Sequence, residues 1–224
     1  MRNTIIVTVL LFIGVIATSI YYFRDINKEQ HNSLKPLKYL PESTFLIASI
    51  KNDEITDNIF KDFDLFDALL GETEMQLIKK YKNQILRHEA LYEFIENQDV
   101  YISFHPEADS LNLLFTVPTS HTIEESDLTA LMQAYNQSFK ITTSDTLGQK
   151  ITALSFGNPD STLYTTYYQQ VIFASYSKNT LISVLDKSKP KLSENQIDYF
   201  ISNNSKNTPL SIYFPHQQYS NIIK

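Results

Sequence analysis

Cysteine and tryptophan are absent from the 224 residues, and glycine occurs only at Gly14, Gly71, Gly148 and Gly157. Without cysteine there are no disulfides, thiolate metal sites, thiol nucleophiles or lipid-bearing N-terminal cysteine. Scattered glycines exclude the phosphate loop, the dinucleotide fingerprint and the nucleophile elbow, because each needs clustered glycine to bring backbone close to a ligand or to turn sharply. Basic residues are also in deficit, 19 against 25 acidic, for a formal charge of −6. Neutralising phosphates requires a basic patch, so nucleic acid is not an expected partner. A chain that is 42% hydrophobic and 20% charged nevertheless has the composition of a folded protein.

The longest apolar run is TIIVTVLLFIGVIATSIYYF, Thr4 to Phe23, which carries no charge. As a helix rising roughly 1.5 Å per residue it reaches about 30 Å, the thickness of a bilayer core. Tyr21, Tyr22 and Phe23, followed by Arg24 and Asp25, suit the lipid–water boundary. Residues 1–23 are therefore expected to be a transmembrane anchor, with the lipid bilayer as partner through residues 4–23. A cleaved signal peptide ending near Ala17-Thr18-Ser19 is the alternative. Arg2 precedes the run, whereas Arg24, Lys28, Lys35 and Lys38 follow it, a count that would keep the body cytoplasmic. Short signal-anchors often export the body all the same. The expected location is the cytoplasmic (inner) membrane, single-pass, with the body in the periplasm.

Residues 24–40 are polar and contain one proline, the character of a linker. An α+β module is expected over 41–207. STFLIASIK (Ser43–Lys51) is an apolar strand, and helical patterns follow to about Leu70 and from Thr73 to Asn97, the second with Ile78, Tyr81, Ile85, His88, Tyr92 and Ile95 on one stripe. DVYISFHP and LNLLFTVP alternate around PEADS as a hairpin. Thr122 and Glu125 form a capping box for a helix reaching about Asn136. FKITTSD, KITALSF, STLYTTYY and VIFASYS, broken by TLGQ, GNPD and QQ, predict a four-stranded antiparallel meander. Helices over Lys178–Lys187 and Ser193–Asn203 precede a last strand, Leu210–Phe214. The expected fold class is α+β, mainly antiparallel sheet with helices packed on one face, preceded by the transmembrane helix.

Shifted by 164 positions, Ser43–Ile59 lies against Asn207–Ile223, with Thr44 and Thr208, Leu46 and Leu210, and Ile59 and Ile223 identical. Residues 208–224 are thus either a closing strand or the start of a truncated second module, unless the likeness of two short strands is chance. The runs YLPESTFLIAS, VYISFHPEADSLNLLFTV and YYQQVIFASYSKNTLISVL resemble uncharacterised, single-span, membrane-anchored envelope proteins of Bacteroidota with a duplicated α+β body. The resemblance spans most of residues 40–224. It implies an exported, anchored protein and brings no catalytic residues.

Residues with chemistry are few and poorly grouped. Five histidines occur, His31, His88, His105, His121 and His216; in RHEALYE, His88 and Glu89 are followed by Tyr92 where a helical zinc motif needs a second histidine. His88 reads better as a core-edge residue. Asp62, Asp64 and Asp67 do not match a calcium loop, since Asp67 stands where glycine is required and Thr73 where the last carboxylate belongs. They suit helix-start positions. No metal or other cofactor is expected.

Two groups remain. Tyr101, Ser103 and His105 share one face of a strand as a polar row that would line a cleft or, more simply, face solvent. A serine hydrolase using Ser103 and His105 meets the difficulty that residues two apart on a strand lie about 6–7 Å from Cα to Cα and project in parallel. Tyr164, Tyr167, Tyr168 and Tyr176 are the other group, an interaction surface or ordinary strand tyrosines. The leading expectation is a non-catalytic structural or protein-interaction component of the cell envelope with a protein partner. An envelope carrier of lipid or another apolar ligand is the alternative from a different class, and the hydrolase is the third.

Overall fold

The computed structural model describes residues 35–51, 89–96, 98–107, 110–136, 140–155, 162–203, 208 and 210–215, with Val15, Thr18 and Gln76 as single positions. The expected anchor over 4–23, apart from Val15 and Thr18, lies outside them, as do the helix expected before Leu70, His31, His88, His216 and the Asp62–Asp67 cluster. Among the described residues no helix is long and apolar enough to cross a membrane. The chain divides at Leu34, and the body is Lys35–Lys224.

The body is built on one eight-stranded antiparallel sheet. Its strands are β1 (Leu46–Lys51), β2 (Asp99–Glu107), β3 (Ser110–Pro118), β4 (Lys140–Thr146), β5 (Gln149–Ser155), β6 (Thr162–Tyr168), β7 (Val171–Ser175) and β8 (Leu210–Tyr213). Their order across the sheet is β4-β5-β6-β7-β3-β2-β1-β8. The expected β2–β3 hairpin and the β4–β7 meander are both present, and two-residue turns join β4 to β5 and β6 to β7. Leu147 and Gly148 (φ 54 and 73) join β4 to β5, and Gln169 and Gln170 (φ 53 and 61) join β6 to β7. Positive φ at both central positions is the mark of turns whose twist matches the strands they connect. The meander meets the hairpin through β3 and β7, with Phe115 opposite Ala174.

Pairing sets which side chains share a face. Leu46, Ala48, Ile102, Phe104, Leu113, Phe115, Val117, Ile172 and Ala174 form one buried cluster with Leu91, Phe94 and Ile95 of helix α1 (Glu89–Ile95) and Leu131 of helix α2 (Glu125–Asn136). The opposite face carries Ile47, Tyr101, Leu114 and Phe173, all fully or almost fully buried. It is covered by a 3-10 turn (Lys35–Tyr39), by helix α3 (Lys178–Leu185) and by helix α4 (Glu194–Asn203). The Tyr39 ring meets Phe173 at 5.6 Å, and Phe200 meets Tyr101 at 6.2 Å. Helices therefore pack on both faces, correcting the one-faced arrangement expected from sequence. The all-buried strand VIFAS required it, since a strand apolar on both sides needs cover on both.

Two local expectations change. Residues 35–40, read as linker, belong to the body. Leu37 and Leu40 are fully buried, and Leu40 O accepts from Leu192 N at 3.0 Å while Pro190 O accepts from Glu42 N at 3.0 Å. Thr122 does not cap α2, because its hydroxyl accepts from the Gln170 amide at 2.7 Å; the Asp127 carboxylate instead accepts from Glu124 N at 2.9 Å, the reciprocal half of a capping box. Ser177 supplies the full cap for α3, its hydroxyl accepting from Thr180 N at 3.2 Å. The last strand pairs antiparallel with β1, Ile47 opposite Tyr213 and Ile50 opposite Leu210, and is the outermost strand on that side among the described residues.

Candidate functional site

The row Tyr101, Ser103 and His105 lies inside the body, each residue at most 4% exposed. This corrects both the cleft and the solvent-facing readings. Sequence alternation predicted that the three share a face, and they do; what it could not supply was the second helical layer above them.

Ser103 Oγ lies 2.8 Å from His105 Nε2. Side chains that leave a strand in parallel close this gap because the imidazole is long enough to reach back over the serine. The contact is therefore made despite the Cα separation that counted against it. Its chemistry follows from the other ring nitrogen. His105 Nδ1 is buried and has no hydrogen-bond partner. A proton on Nδ1 would leave a buried donor unsatisfied, whereas a bare lone pair there is the smaller penalty. With the proton on Nε2 the ring donates to Ser103 Oγ, and the hydroxyl hydrogen is directed toward Leu114 O at 3.5 Å. In that tautomer His105 is the donor to Ser103 and does not act as its base.

Burial pushes the His105 pKa down from 6.5 to about 4, because desolvation disfavours the imidazolium. The ring is neutral at pH 7. Neighbouring polar side chains on the same face are mostly tied to strand carbonyls. Ser175 Oγ donates to Leu113 O at 2.6 Å and Thr166 Oγ1 to Lys150 O at 2.9 Å, while Thr116 Oγ1 is buried without a partner.

The four tyrosines do not share one face. Tyr164 and Tyr168 stand opposite Ser175 and Val171 on the face of the His105 row, whereas Tyr167 stands opposite Ile172 on the other. The Tyr167 hydroxyl accepts from Ile123 N at 2.9 Å and so anchors the approach to α2. Tyr168 packs edge-on against Tyr39 with ring centroids 5.6 Å apart. Tyr176 lies against Phe115, its buried hydroxyl unpartnered and its pKa pushed up to about 12 by desolvation. Tyr164 is half-buried.

Exposed apolar residues gather elsewhere, a feature the sequence reading missed. Tyr199, Ile212 and Phe214 are 59%, 40% and 38% exposed. The Tyr199 ring lies 5.6 Å from Tyr213, and Phe214 lies 5.9 Å from Phe45. Both faces of the sheet at the β8 edge are thus flanked by aromatic residues. Only the pairing of β8 with β1 brings them together.

His121 is exposed and stacks on Phe94 at 4.7 Å, with Nδ1 2.9 Å from Ser120 Oγ. Among the described residues no group of three or more His, Asp or Glu could hold a metal ion. No family model matches the chain, and no curated protein or solved structure matches it.

Proposed function

We propose that the protein is a membrane-anchored, non-catalytic protein-interaction component of the cell envelope. The observation that carries this reading is the filling of both faces of the sheet by the chain's own helices, beside which Tyr199, Ile212 and Phe214 stand as exposed apolar residues among the described ones. The apolar run over Thr4–Phe23 supports the anchor, and the resemblance to single-span envelope proteins supports export. The burial of the Ser103–His105 pair argues for structure over hydrolysis, because it keeps the serine away from substrate. Carriage of an apolar ligand would require one helical layer to lift from the sheet.

A photo-crosslinking residue placed at Tyr164 or at Tyr199 in the full chain tests the reading in the intact membrane. A discrete adduct of one size from either position is expected. Neither position giving a specific adduct, with the chain correctly inserted, would sink it.

A further inference from the structure

The two faces of the sheet differ in a way that strand order does not explain. On the α1–α2 face the central strands present apolar side chains, among them Leu46, Ala48, Ile102, Phe104, Phe115 and Ala174. On the opposite face the same strands carry Ser49, Ser103, His105, Thr116 and Ser175, each at most 5% exposed. An antiparallel sheet with one apolar and one polar face is patterned for water on the polar side. Here that side is covered, and the cover leaves His105 Nδ1 and Thr116 Oγ1 buried without a hydrogen-bond partner among the described residues. Burying an unpaired polar group costs free energy that an apolar face does not lose, so this seam is the weaker of the two.

The cover is built from two parts with different attachments. α3 is fixed to the strand before it, since Ser177 N donates to Ser175 Oγ at 3.1 Å and the Ser177 hydroxyl caps the helix. The 3-10 turn and α4 belong to a separate unit, clipped together where Pro41 bridges Lys191, Leu192 N donates to Leu40 O and Glu42 N donates to Pro190 O. That unit meets the sheet through rings: Tyr39 against Phe173, and Phe200 against Tyr101 at 6.2 Å and Tyr213 at 5.7 Å. A charged latch joins it to α3. Lys191 Nζ donates to Ser183 O at 2.6 Å and to Val184 O at 3.1 Å, carbonyls of the last turn of that helix. Between α3 and the clip, Lys187, Ser188 and Lys189 are exposed, the position of a hinge.

We infer that residues 35–42 and 190–203 form a lid that lifts from the sheet as one body, with α3 staying in place, and opens the polar face to water. Lifting lets water pair with His105 Nδ1 and Thr116 Oγ1 and gives up the ring contacts and the Lys191 latch, so opening takes less free energy than unfolding. The inference goes beyond the interaction reading and does not depend on it.

The chain has no cysteine, so a single introduced thiol reports opening without background. Thr116 is fully buried opposite Tyr101 and Phe173, and its hydroxyl has no partner to lose; Ala174, 1% exposed on the neighbouring strand, belongs to the α1–α2 face. In the full chain in mild detergent, a small aromatic disulfide reagent should label Thr116→Cys about tenfold faster than Ala174→Cys, and faster than the urea-measured global stability of that variant allows. Adding Lys191→Met, which removes the latch and keeps the side-chain length, should raise the Thr116→Cys rate by about tenfold and leave the Ala174→Cys rate unchanged. Ser49→Cys, also on the polar face opposite Tyr101, gives the same comparison from a second strand if Thr116→Cys does not fold. Equal rates from the two faces, or a Lys191→Met effect that raises both alike, overturns the proposal, because either result shows that the faces are reached only by unfolding of the whole body.

Discussion

Replacing His105 with glutamine should remove a large part of the acid sensitivity of the fold. In the folded chain the imidazole titrates at about 4, and in the unfolded chain at the ordinary 6.5. Between those values the unfolded state holds a proton that the folded state does not, so stability rises with pH across the window. The stabilisation by neutral His105 is complete above pH 6.5, declines as pH falls toward 4, and changes no further below that. At about 1.4 kcal/mol for each pH unit in the window, the full effect is about 3 kcal/mol. Carboxylates also titrate over this range, which makes the difference between wild type and variant the informative quantity. Urea unfolding of both proteins at about pH 7 and about pH 4, followed by circular dichroism, measures it. Wild type should lose about 3 kcal/mol more than His105→Gln on acidification. Equal losses would refute the argument, showing that the ring is hydrated or paired in the folded state. An NMR titration of His105 in the folded chain gives a direct check, with the proton expected on Nε2 at neutral pH.

Two further outcomes test the packing and the turns. Leu147 is 59% exposed and held at φ 54 beside Gly148, where asparagine is the favoured residue. Leu147→Asn should therefore stabilise the protein by about 1 kcal/mol and raise Tm by roughly 3 °C; an unchanged or lower Tm would count against a strained turn. Phe115 is fully buried in β3 between the hairpin and the meander. Phe115→Ala should cost about 3–5 kcal/mol in urea unfolding, and a loss under about 1 kcal/mol would contradict the α1–α2 layer as the cover of that face.

Much of the local architecture was readable because it depends on near neighbours. Alternation in VYISFH and LNLLFTV, with a turn between, specifies a hairpin before any distant contact forms. QQ marked a turn by its length alone, two residues between alternating runs, although neither residue is the glycine or asparagine that positive φ favours. The candidate site was only half legible. Period-two spacing grouped Tyr101, Ser103 and His105 correctly, but three polar residues on one strand face normally signal solvent. Here they are buried, because Leu37, Leu181 and Phe200, distant in sequence, close over that face. The aromatic contacts at β8 were not legible, since Phe45 meets Phe214 and Tyr199 meets Tyr213 only through strand pairing.

The sequence by itself determined which segments are strands and α-helices among the described residues, though not the 3-10 turn over Lys35–Tyr39, together with the order of the hairpin and meander and the lack of cysteine and clustered-glycine chemistry. These follow from composition and from side-chain periods of two and 3.6 residues. Tertiary structure alone decided that β7 joins β3, that β8 closes against β1, and that a second helical layer buries the Ser103–His105 pair. The two strand pairings turn on contacts between residues 53 to 166 positions apart. Their free energy comes from the apolar surface that only the assembled sheet and its two helical layers remove from water.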